Sequence, residues 1–122
     1  PATQLVQEKE RQKDNVTRWP TVTVVMPIRN EEAFIHKSLG AILEQDYPAD
    51  KMEVFVIDGM SDDKTRQIII ELQQTYPNLQ LLDNPARIVP PALNIAIKQA
   101  TSEIIVRVDG HTVIAPDYVR QC

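Results

Sequence analysis

The residues with the clearest chemical potential lie between Val106 and Thr112, where an apolar run ends at Asp109-Gly110-His111. A carboxylate and an imidazole two positions apart on a turn can face the same ligand, and Gly110 supplies a backbone able to turn sharply. Together the two groups suit Mn²⁺ or a similar divalent cation that keeps open positions for phosphate oxygens. The alternative interpretation is a solvated turn that merely ends a strand.

A second apolar run also ends in an Asp-Gly pair, at Asp58-Gly59. Two carboxylates would then reach the same edge of a sheet, although Asp58 taken alone is more simply a turn former or a cap. Arg29 and Arg87 fall on the loops after the first and third predicted strands. Either guanidinium could pair with a diphosphate or remain an ordinary surface residue.

Strand and helix patterns alternate along the chain. Apolar, β-branched runs predict strands over residues 22–26 (closed by Pro27), 53–57, 79–82 and 103–108. The spacing of Ile35, Leu39 and Ile42 predicts a helix face between the first two strands. A second helix face follows the second strand, and Pro90-Pro91 is expected to open a third helix.

The polar residues ahead of these helices predict where each helix begins. Asn30 is expected to cap a helix over residues 31–45, with two glutamates in its first turn, where they oppose the helix dipole favourably. Ser61 or Asp62 is expected to cap the second helix.

The alternation predicts an α/β domain with a mainly parallel sheet and helices on both faces. Since crossovers are right-handed, the favoured strand order is 3-2-1-4, with the chain reversing direction between strands 1 and 4. Ligands bind beyond the carboxyl ends of strands beside such a reversal. That crevice would be lined by residues 27–30 and 109–111.

The composition is that of an ordinary globular domain, with 122 residues, a net charge of −4 and 43% hydrophobic residues. Lys and Arg are scattered, which argues against a nucleic-acid partner. Neither G-x-G-x-x-G nor G-x-x-x-x-G-K-[ST] occurs, which disfavours a dinucleotide oxidoreductase and a P-loop enzyme. Residues 1–20 are interpreted as a polar arm ending at Trp19, which is expected to pack on the edge of a domain over 21–122. Cys122, the only cysteine, cannot form an internal disulfide.

Four motifs in order resemble those of the inverting family-two glycosyltransferases, whose nucleotide-binding half has the Rossmann-like GT-A fold. The matching segments are residues 25–31, residues 56–65, residues 84–87 with 92–94 and Ala96, and residues 107–112. The Asp-Gly-His sequence is similar to that of bacterial exopolysaccharide enzymes of the succinoglycan glucosyltransferase type.

The resemblance implies a nucleotide-sugar donor, expected to be a uridine diphosphate sugar, bound with Mn²⁺ or Mg²⁺. Inverting transfer would be to a saccharide or lipid-linked acceptor, at the cytoplasmic face of the membrane. Asp58 would approach the uracil, and Arg87 the base or the diphosphate. The implied nucleotide-sugar-binding residues are Pro27, Arg29, Glu31, Asp58, Arg87 and Asp109, and the implied metal ligands are Asp109 and His111.

Two departures from the family pattern matter. His111 stands where the family usually has aspartate, so the loss of one negative charge is expected to weaken metal binding or make it more pH-dependent. The acceptor half, with the catalytic base, would follow Cys122, and we therefore expect this chain to bind donor without transferring sugar. The outer edge of the fourth strand is expected to favour a homodimer.

Two other classes of protein share such a sheet. A nucleotidyltransferase is expected to have a Gly-rich, Lys/Arg-containing loop after the first strand, and residues 27–31 contain no glycine. A non-enzymatic doubly wound module, such as a receiver-like signalling domain, would need an acidic cluster with a lysine after a late strand. The sequence up to Cys122 does not supply that lysine.

Overall fold

Strands and helices alternate in the computed structural model, which describes residues 19–122; the predicted arm up to residue 18 lies outside the described residues. The strands are β1 (Val22–Ile28), β2 (Met52–Asp58), β3 (Leu79–Asp83) and β4 (Ile104–Arg107). The helices are α1 (Ile35–Leu43), α2 (Thr65–Thr75), α3 (Val89–Gln99) and the short α4 (Tyr118–Gln121), and a 3-10 turn (Ala49–Lys51) precedes β2. Within residues 19–122 no helix has the length and apolarity that crossing a membrane requires.

The sheet has the order β3-β2-β1-β4 with every pairing parallel, which confirms the predicted order. Every residue of β1 is buried, as a central parallel strand requires because helices cover both of its faces. The register places Ile28, Asp58 and Asp83 side by side at the carboxyl ends of β1, β2 and β3. β4 also runs parallel to β1, with Arg107 beside Val25, so the two predicted carboxylates, Asp58 and Asp109, follow strands that end at the same edge of the sheet.

The helices pack on both faces, as predicted. On one face, α1 and α2 cover a large apolar cluster in which Leu39 and Ile69 are fully buried. On the other face, α3 packs through Ala92 and Ala96 against alternate residues of β1 and β2. Alanine at these two positions lets α3 lie close to the sheet. Trp19 also packs where the sequence predicted, with its ring edge-on to Tyr47 at a centroid distance of 4.9 Å.

The crevice beside the strand reversal opens where β1 and β4 separate. Their pairing ends with the hydrogen bond from the Val108 N–H to the Val25 carbonyl oxygen, at 3.0 Å. Because backbone groups alternate along a strand, Pro27 faces β4 as Val25 does, and it has no N–H to donate there. The sequence prediction that Pro27 closes the first strand was wrong, since β1 continues to Ile28 by pairing with β2 alone.

The predicted helix starts need correction. α1 begins at Ile35, and the preceding residues form a turn in which the Phe34 and Ile35 N–H groups donate to the Glu31 carbonyl oxygen, at 2.9 and 2.8 Å. Asn30 therefore does not cap α1, and its side chain accepts a hydrogen bond from the Asp62 N–H instead. The two glutamates precede the helix and do not lie in its first turn.

The start of α2 also differs from the prediction. The N–H of Thr65, the first residue of α2, donates to the carboxylate of Asp63 at 2.9 Å. Neither Asp62 nor the Ser61 hydroxyl accepts this hydrogen bond. α3 begins at Val89, one residue before the expected prolines, which occupy its first turn. Prolines are tolerated there because their missing N–H groups would have no partner within the helix.

Candidate functional site

A cavity of about 240 Å³ lies at the carboxyl ends of the strands, beside the reversal between β1 and β4. It is the place where the sequence predicted a ligand. The predicted site residues that line it are Pro27, Arg29, Glu31, Arg87, Asp109 and His111. The structure thus brings together every predicted site residue except Asp58.

A larger cavity of about 700 Å³ lies at the opposite edge of the sheet, near the beginnings of β1, β2 and β4. Two of its polar lining residues are already bonded within the protein, because the Glu53 carboxylate accepts hydrogen bonds from Ser102 and from the buried Thr23, each at 3.1 Å. None of the motif residues reaches it. We therefore place the candidate site in the smaller cavity, which the predicted site residues line.

Asp58 is fully buried and is bonded to the protein itself. Its carboxylate accepts hydrogen bonds from the Ser61 hydroxyl and N–H, and from Nη1 of Arg66 at 2.8 Å. Arg66 also reaches Asp83 at 2.7 Å, and its hydrogen bonds to both carboxylates raise the pKa of its guanidinium. A contact between Asp58 and a base stays a prediction, while its observed role is to hold the loop after β2.

The loops after β1 and β2 satisfy each other's backbone groups, an arrangement that we call the loop clasp (residues 30–32 and 61–65). Three N–H groups of the first loop donate to side chains of the second: Asn30 to Ser61 at 2.8 Å, Glu31 to Thr65 at 2.9 Å and Glu32 to Asp63 at 3.2 Å. In the opposite direction, the Asp62 N–H donates to Asn30 and the Lys64 N–H to Glu32, each at 2.9 Å. The clasp fixes the backbone that carries Arg29 and Glu31 into the cavity.

The loops that frame the cavity contain backbone conformations that are rare for residues with a side chain. Asn30, Met60 and Arg87 have φ of 53°, 60° and 66°, one after each of β1, β2 and β3. Such a conformation costs about 1 kcal/mol or more for a residue such as Met or Arg, and less for Asn. Such conformations persist only where surrounding contacts offset the strain, and residues that adopt them are concentrated at functional sites.

Gly59 allows the two predicted arginines to converge. A Cβ atom at Gly59 would lie 3.3 Å from both the Cα of Arg87 and the carbonyl oxygen of Ile28. The Gly59 carbonyl accepts a hydrogen bond from Nε of Arg29 at 3.0 Å, which orients that guanidinium. The glycine therefore brings two positive charges to the same side of the cavity.

Gly110 is required for close packing and not for a special turn, contrary to the sequence interpretation, since no described glycine has a positive φ. A Cβ atom at Gly110 would lie 2.5 Å from Cγ2 of Ile28 and 3.0 Å from Oε2 of Glu31. Its carbonyl accepts a hydrogen bond from the buried Ser38 hydroxyl of α1 at 2.6 Å. These contacts hold Asp109 and His111 against the loop after β1.

The acidic and basic side chains of the cavity form two pairs. Asp109 lies 3.3 Å from Nη2 of Arg107, and Nδ1 of His111 lies 3.6 Å from Oε2 of Glu31. The sequence motif over residues 107–112 includes Arg107 but predicted no role for it. A charged residue at the end of β4, beside the strand reversal, is the signal that could have predicted a place in the site. The site therefore contains three guanidinium groups, from Arg29, Arg87 and Arg107.

The donor atoms fit a cation that shares its coordination with a ligand. Within residues 19–122, no three His, Cys, Asp or Glu side chains come together as a ready-made cage. Glu31, Asp109 and His111 nevertheless all line the same cavity. Mg²⁺ at nucleotide sites is commonly held by one or two carboxylates together with substrate phosphates, so these residues suit a cation that arrives with a diphosphate.

Asn84 is a further candidate that the sequence reasoning missed. It lines the cavity, is 2% exposed, and donates from Nδ2 to the Ile88 carbonyl oxygen at 2.7 Å. Its Oδ1 is the one buried side-chain polar atom without a hydrogen-bond partner among the described residues. An unpaired buried acceptor costs about 1–3 kcal/mol, which a donating group on a ligand could recover.

Replacing Gly110 with alanine is expected to destabilise the protein by about 1–3 kcal/mol, because the new Cβ would overlap Cγ2 of a stiff, β-branched isoleucine. Gly40 is the matched control, since it lies inside α1, where an added Cβ would meet nothing within 4 Å. Gly40→Ala is expected to stabilise by about 0.5–1 kcal/mol through helix propensity. Urea denaturation measures both values, and equal stabilities for the two variants would contradict the packing role of Gly110.

Asp63→Ala is expected to lower stability by about 1 kcal/mol, the usual cost of losing a helix-capping carboxylate. Burial alone would raise the pKa of Asp63, but hydrogen bonds from Thr65 and Glu32 lower it below its ordinary 3.8. A lowered folded-state pKa gives stability that is present above about pH 3.8 and lost as the pH falls through the folded-state value.

The difference in unfolding free energy between wild type and Asp63→Ala should thus be constant near neutral pH and shrink below about pH 4. Asp62→Ala is the control, because the Asp62 side chain is exposed and makes no hydrogen bond or ion pair within residues 19–122. A pH-independent difference, or an equal loss for Asp62→Ala, would argue against the carboxylate's role in the loop clasp.

Comparisons with known proteins show the family to which this fold belongs. The chain is 36% identical over 92 residues to glycosyltransferase AglE of Haloferax volcanii, covering 75% of this chain and 30% of that protein. Among solved structures, it is similar to the mannosyltransferase PcManGT from Pyrobaculum calidifontis in complex with GDP-Man and Mn²⁺. That similarity has a TM-score of 0.76 and 39% identity, over 82% of this chain and 30% of that one.

A second solved structure, Staphylococcus aureus TarS 1–349 in complex with UDP, has a TM-score of 0.75 and 29% identity, over 83% of this chain and 30% of that one. This chain spans about a third of the length of each of these three proteins. The family profile described as Glycosyl transferase family 2 matches residues 23–122. Because that match extends over well more than half of the sequence, the chain belongs to glycosyl transferase family 2.

Proposed function

We propose that the cavity binds the nucleoside diphosphate of a nucleotide-sugar donor, most simply a uridine diphosphate sugar, together with Mn²⁺ or Mg²⁺. The observation that carries the proposal is the convergence of Pro27, Arg29, Glu31, Arg87, Asp109 and His111 on one crevice at the strand reversal. Pro27 lies in β1, and the other five come from the loops after β1, β3 and β4. A common ligand explains why these residues converge, whereas three unrelated turns would not.

The charges of the cavity suit a diphosphate. Arg29, Arg87 and Arg107 contribute guanidinium groups, whose planar forks match phosphate oxygens. A cation held by Asp109 and His111 would share the same phosphates and stabilise the negative charge that grows on the departing nucleoside diphosphate. The role that we propose for these cavity residues is to bind and orient the donor.

Asn84 lines the cavity, and a movement that exposed its buried, unpaired Oδ1 would let this oxygen take part in recognising the base. Uracil and guanine each carry a ring N–H that could donate to this oxygen, whereas cytosine and adenine present a bare ring nitrogen at the corresponding position. A GDP-sugar complex and a UDP complex are both found among the similar structures. We propose uridine diphosphate because the sequence motifs resemble those of enzymes that use uridine diphosphate sugars.

The remaining parts of the proposal concern the whole enzyme and rest on family resemblance. They are inverting transfer to a saccharide or lipid-linked acceptor, in exopolysaccharide synthesis of the succinoglycan type, at the cytoplasmic face of the membrane. Nothing in the described site nominates a catalytic base, so the 122-residue chain is proposed to bind donor without transferring sugar. Sugar transfer to an added acceptor by this chain alone would contradict that part.

Calorimetric titration with uridine diphosphate, with and without Mn²⁺, tests donor binding. We expect binding that depends on Mn²⁺ and that weakens at least about tenfold in Asp109→Ala and His111→Ala, because each would remove a cation ligand. Arg120→Ala is the control, since Arg120 pairs with Asp46 at 2.8 Å, and neither residue lines the cavity.

The possible results separate the parts of the proposal. Binding that is equal with and without Mn²⁺ would remove the cation and His111 from it. No binding to a folded sample would contradict donor binding by this chain. An equal loss in Arg120→Ala would indicate that the variants act through stability and not through the site.

Self-association through β4 is a separate proposal. In the described residues β4 pairs on one side only, with β1, and its Ile105 is 45% exposed. An unpaired edge that bears an apolar side chain favours pairing with a second copy, and a lysine on such an edge opposes it. Light scattering at high concentration is expected to show a dimer that Ile105→Lys disrupts, whereas a monomeric wild type would contradict the proposal.

A further inference from the structure

The pairing of His111 with Glu31 was not expected from the sequence, which grouped His111 with Asp109. The His111 imidazole is 66% exposed, whereas the Glu31 side chain is 21% exposed, and Nδ1 lies 3.6 Å from Oε2. The distance is that of an ion pair, slightly longer than a hydrogen bond. A shift of well under 1 Å in the exposed imidazole would bring the two atoms into hydrogen-bond contact.

Glu31 is held at several points, and the imidazole is the freer partner. The Glu31 N–H donates to Thr65 at 2.9 Å, and its carbonyl accepts from the N–H groups that begin α1. Its side chain lies against the bare Cα of Gly110, where even a Cβ would come within 3.0 Å of Oε2. The backbone of Glu31 is therefore restrained and its side chain is mostly covered, whereas the imidazole is mostly exposed and can move toward it.

The other acidic group of the cavity is already matched with a cation. Asp109 lies 3.3 Å from Nη2 of Arg107, whereas Glu31 forms no ion pair with Lys or Arg within residues 19–122. His111 is thus the basic partner that the structure provides for Glu31. The two carboxylates therefore have different partners: Asp109 lies beside a guanidinium and Glu31 beside an imidazole.

We propose that Glu31 is the positioning residue for His111, holding Nδ1 protonated so that Nε2 is the nitrogen with a free lone pair. Ligating histidines commonly donate their second N–H to a carboxylate, which fixes both the tautomer and the ring orientation. That Nε2 then serves a divalent cation rests on the proposed function. The tautomer itself is a property of this chain without any ligand.

The tautomer can be measured directly by long-range ¹H–¹⁵N correlation spectroscopy on the ¹⁵N-labelled chain, at about pH 9, where an ordinary imidazole is neutral. The sequence contains two histidines, and His36, exposed on α1, is the internal control. We expect the Nδ1–H form for His111 and the Nε2–H form, which free histidine favours, for His36. The same tautomer at both positions would overturn the proposal, whatever the variants do.

Three variants assign the tautomer to the Glu31 side chain. Glu31→Gln keeps an acceptor oxygen and should preserve the Nδ1–H form, whereas Glu31→Ala should return His111 to the pattern of His36. Glu44→Ala is the matched control, because it removes an exposed carboxylate that accepts from the Tyr76 hydroxyl, away from the cavity and the loop clasp. An unchanged tautomer in Glu31→Ala, or an equal change in Glu44→Ala, would overturn the role of Glu31.

The consequence for the cation is tested by Mn²⁺ titration in the presence of uridine diphosphate, followed by electron paramagnetic resonance. Loss of a carboxylate behind a ligating histidine is expected to weaken Mn²⁺ binding about 10- to 100-fold in Glu31→Ala, with the control Glu44→Ala unaffected. If uridine diphosphate does not bind, the proposed function fails while the tautomer result still decides this inference. If it binds with Mn²⁺ and Glu31→Ala retains wild-type affinity, the inference fails alone.

Discussion

The candidate site depends on the loop clasp, in which two loops satisfy each other's backbone N–H groups. The loops after β1 and β2 leave their strands with donors that neither the sheet nor a helix can use. Most contacts of the clasp are exposed, where a single hydrogen bond contributes about 0.5–1.5 kcal/mol. Five of them join residues 30–32 to residues 61–65, and together they restrict both loops. Arg29 and Glu31 enter the cavity from this restrained backbone, which makes the site rigid where it must recognise a ligand.

The crevice itself depends on a missing hydrogen-bond donor. β1 can pair with β2 through Ile28, but Pro27 offers β4 no N–H, and the ladder on that side ends at Val25. β4 then diverges and leads into Gly110, whose lack of a side chain allows the exit to approach Ile28 again. The cavity is the space between these two points, so a proline and a glycine set its dimensions through opposite effects on the backbone.

The sequence was sufficient for the architecture, because apolar periodicity and right-handed crossovers are consequences of local geometry. It was insufficient where a side chain works across the fold. Asn30 has the type of a helix cap but bonds to another loop, and Asp58 is bound by Arg66, eight positions further on. The pairing of His111 with Glu31 depends on a distance between loops that sequence spacing does not encode.

Burial decides which of the ionic contacts can be exchanged for a ligand. Asp109 and Arg107 are each about half exposed, and such a pair contributes about 0–1 kcal/mol, so a phosphate can replace the carboxylate at little cost. Asp58 is fully buried, and without Arg66 its carboxylate would keep only the hydrogen bonds from Ser61, so breaking this pair costs far more than breaking an exposed one. Arg66 is therefore committed to the scaffold, whereas Arg29, Arg87 and Arg107 line the cavity, where the proposed diphosphate would meet them.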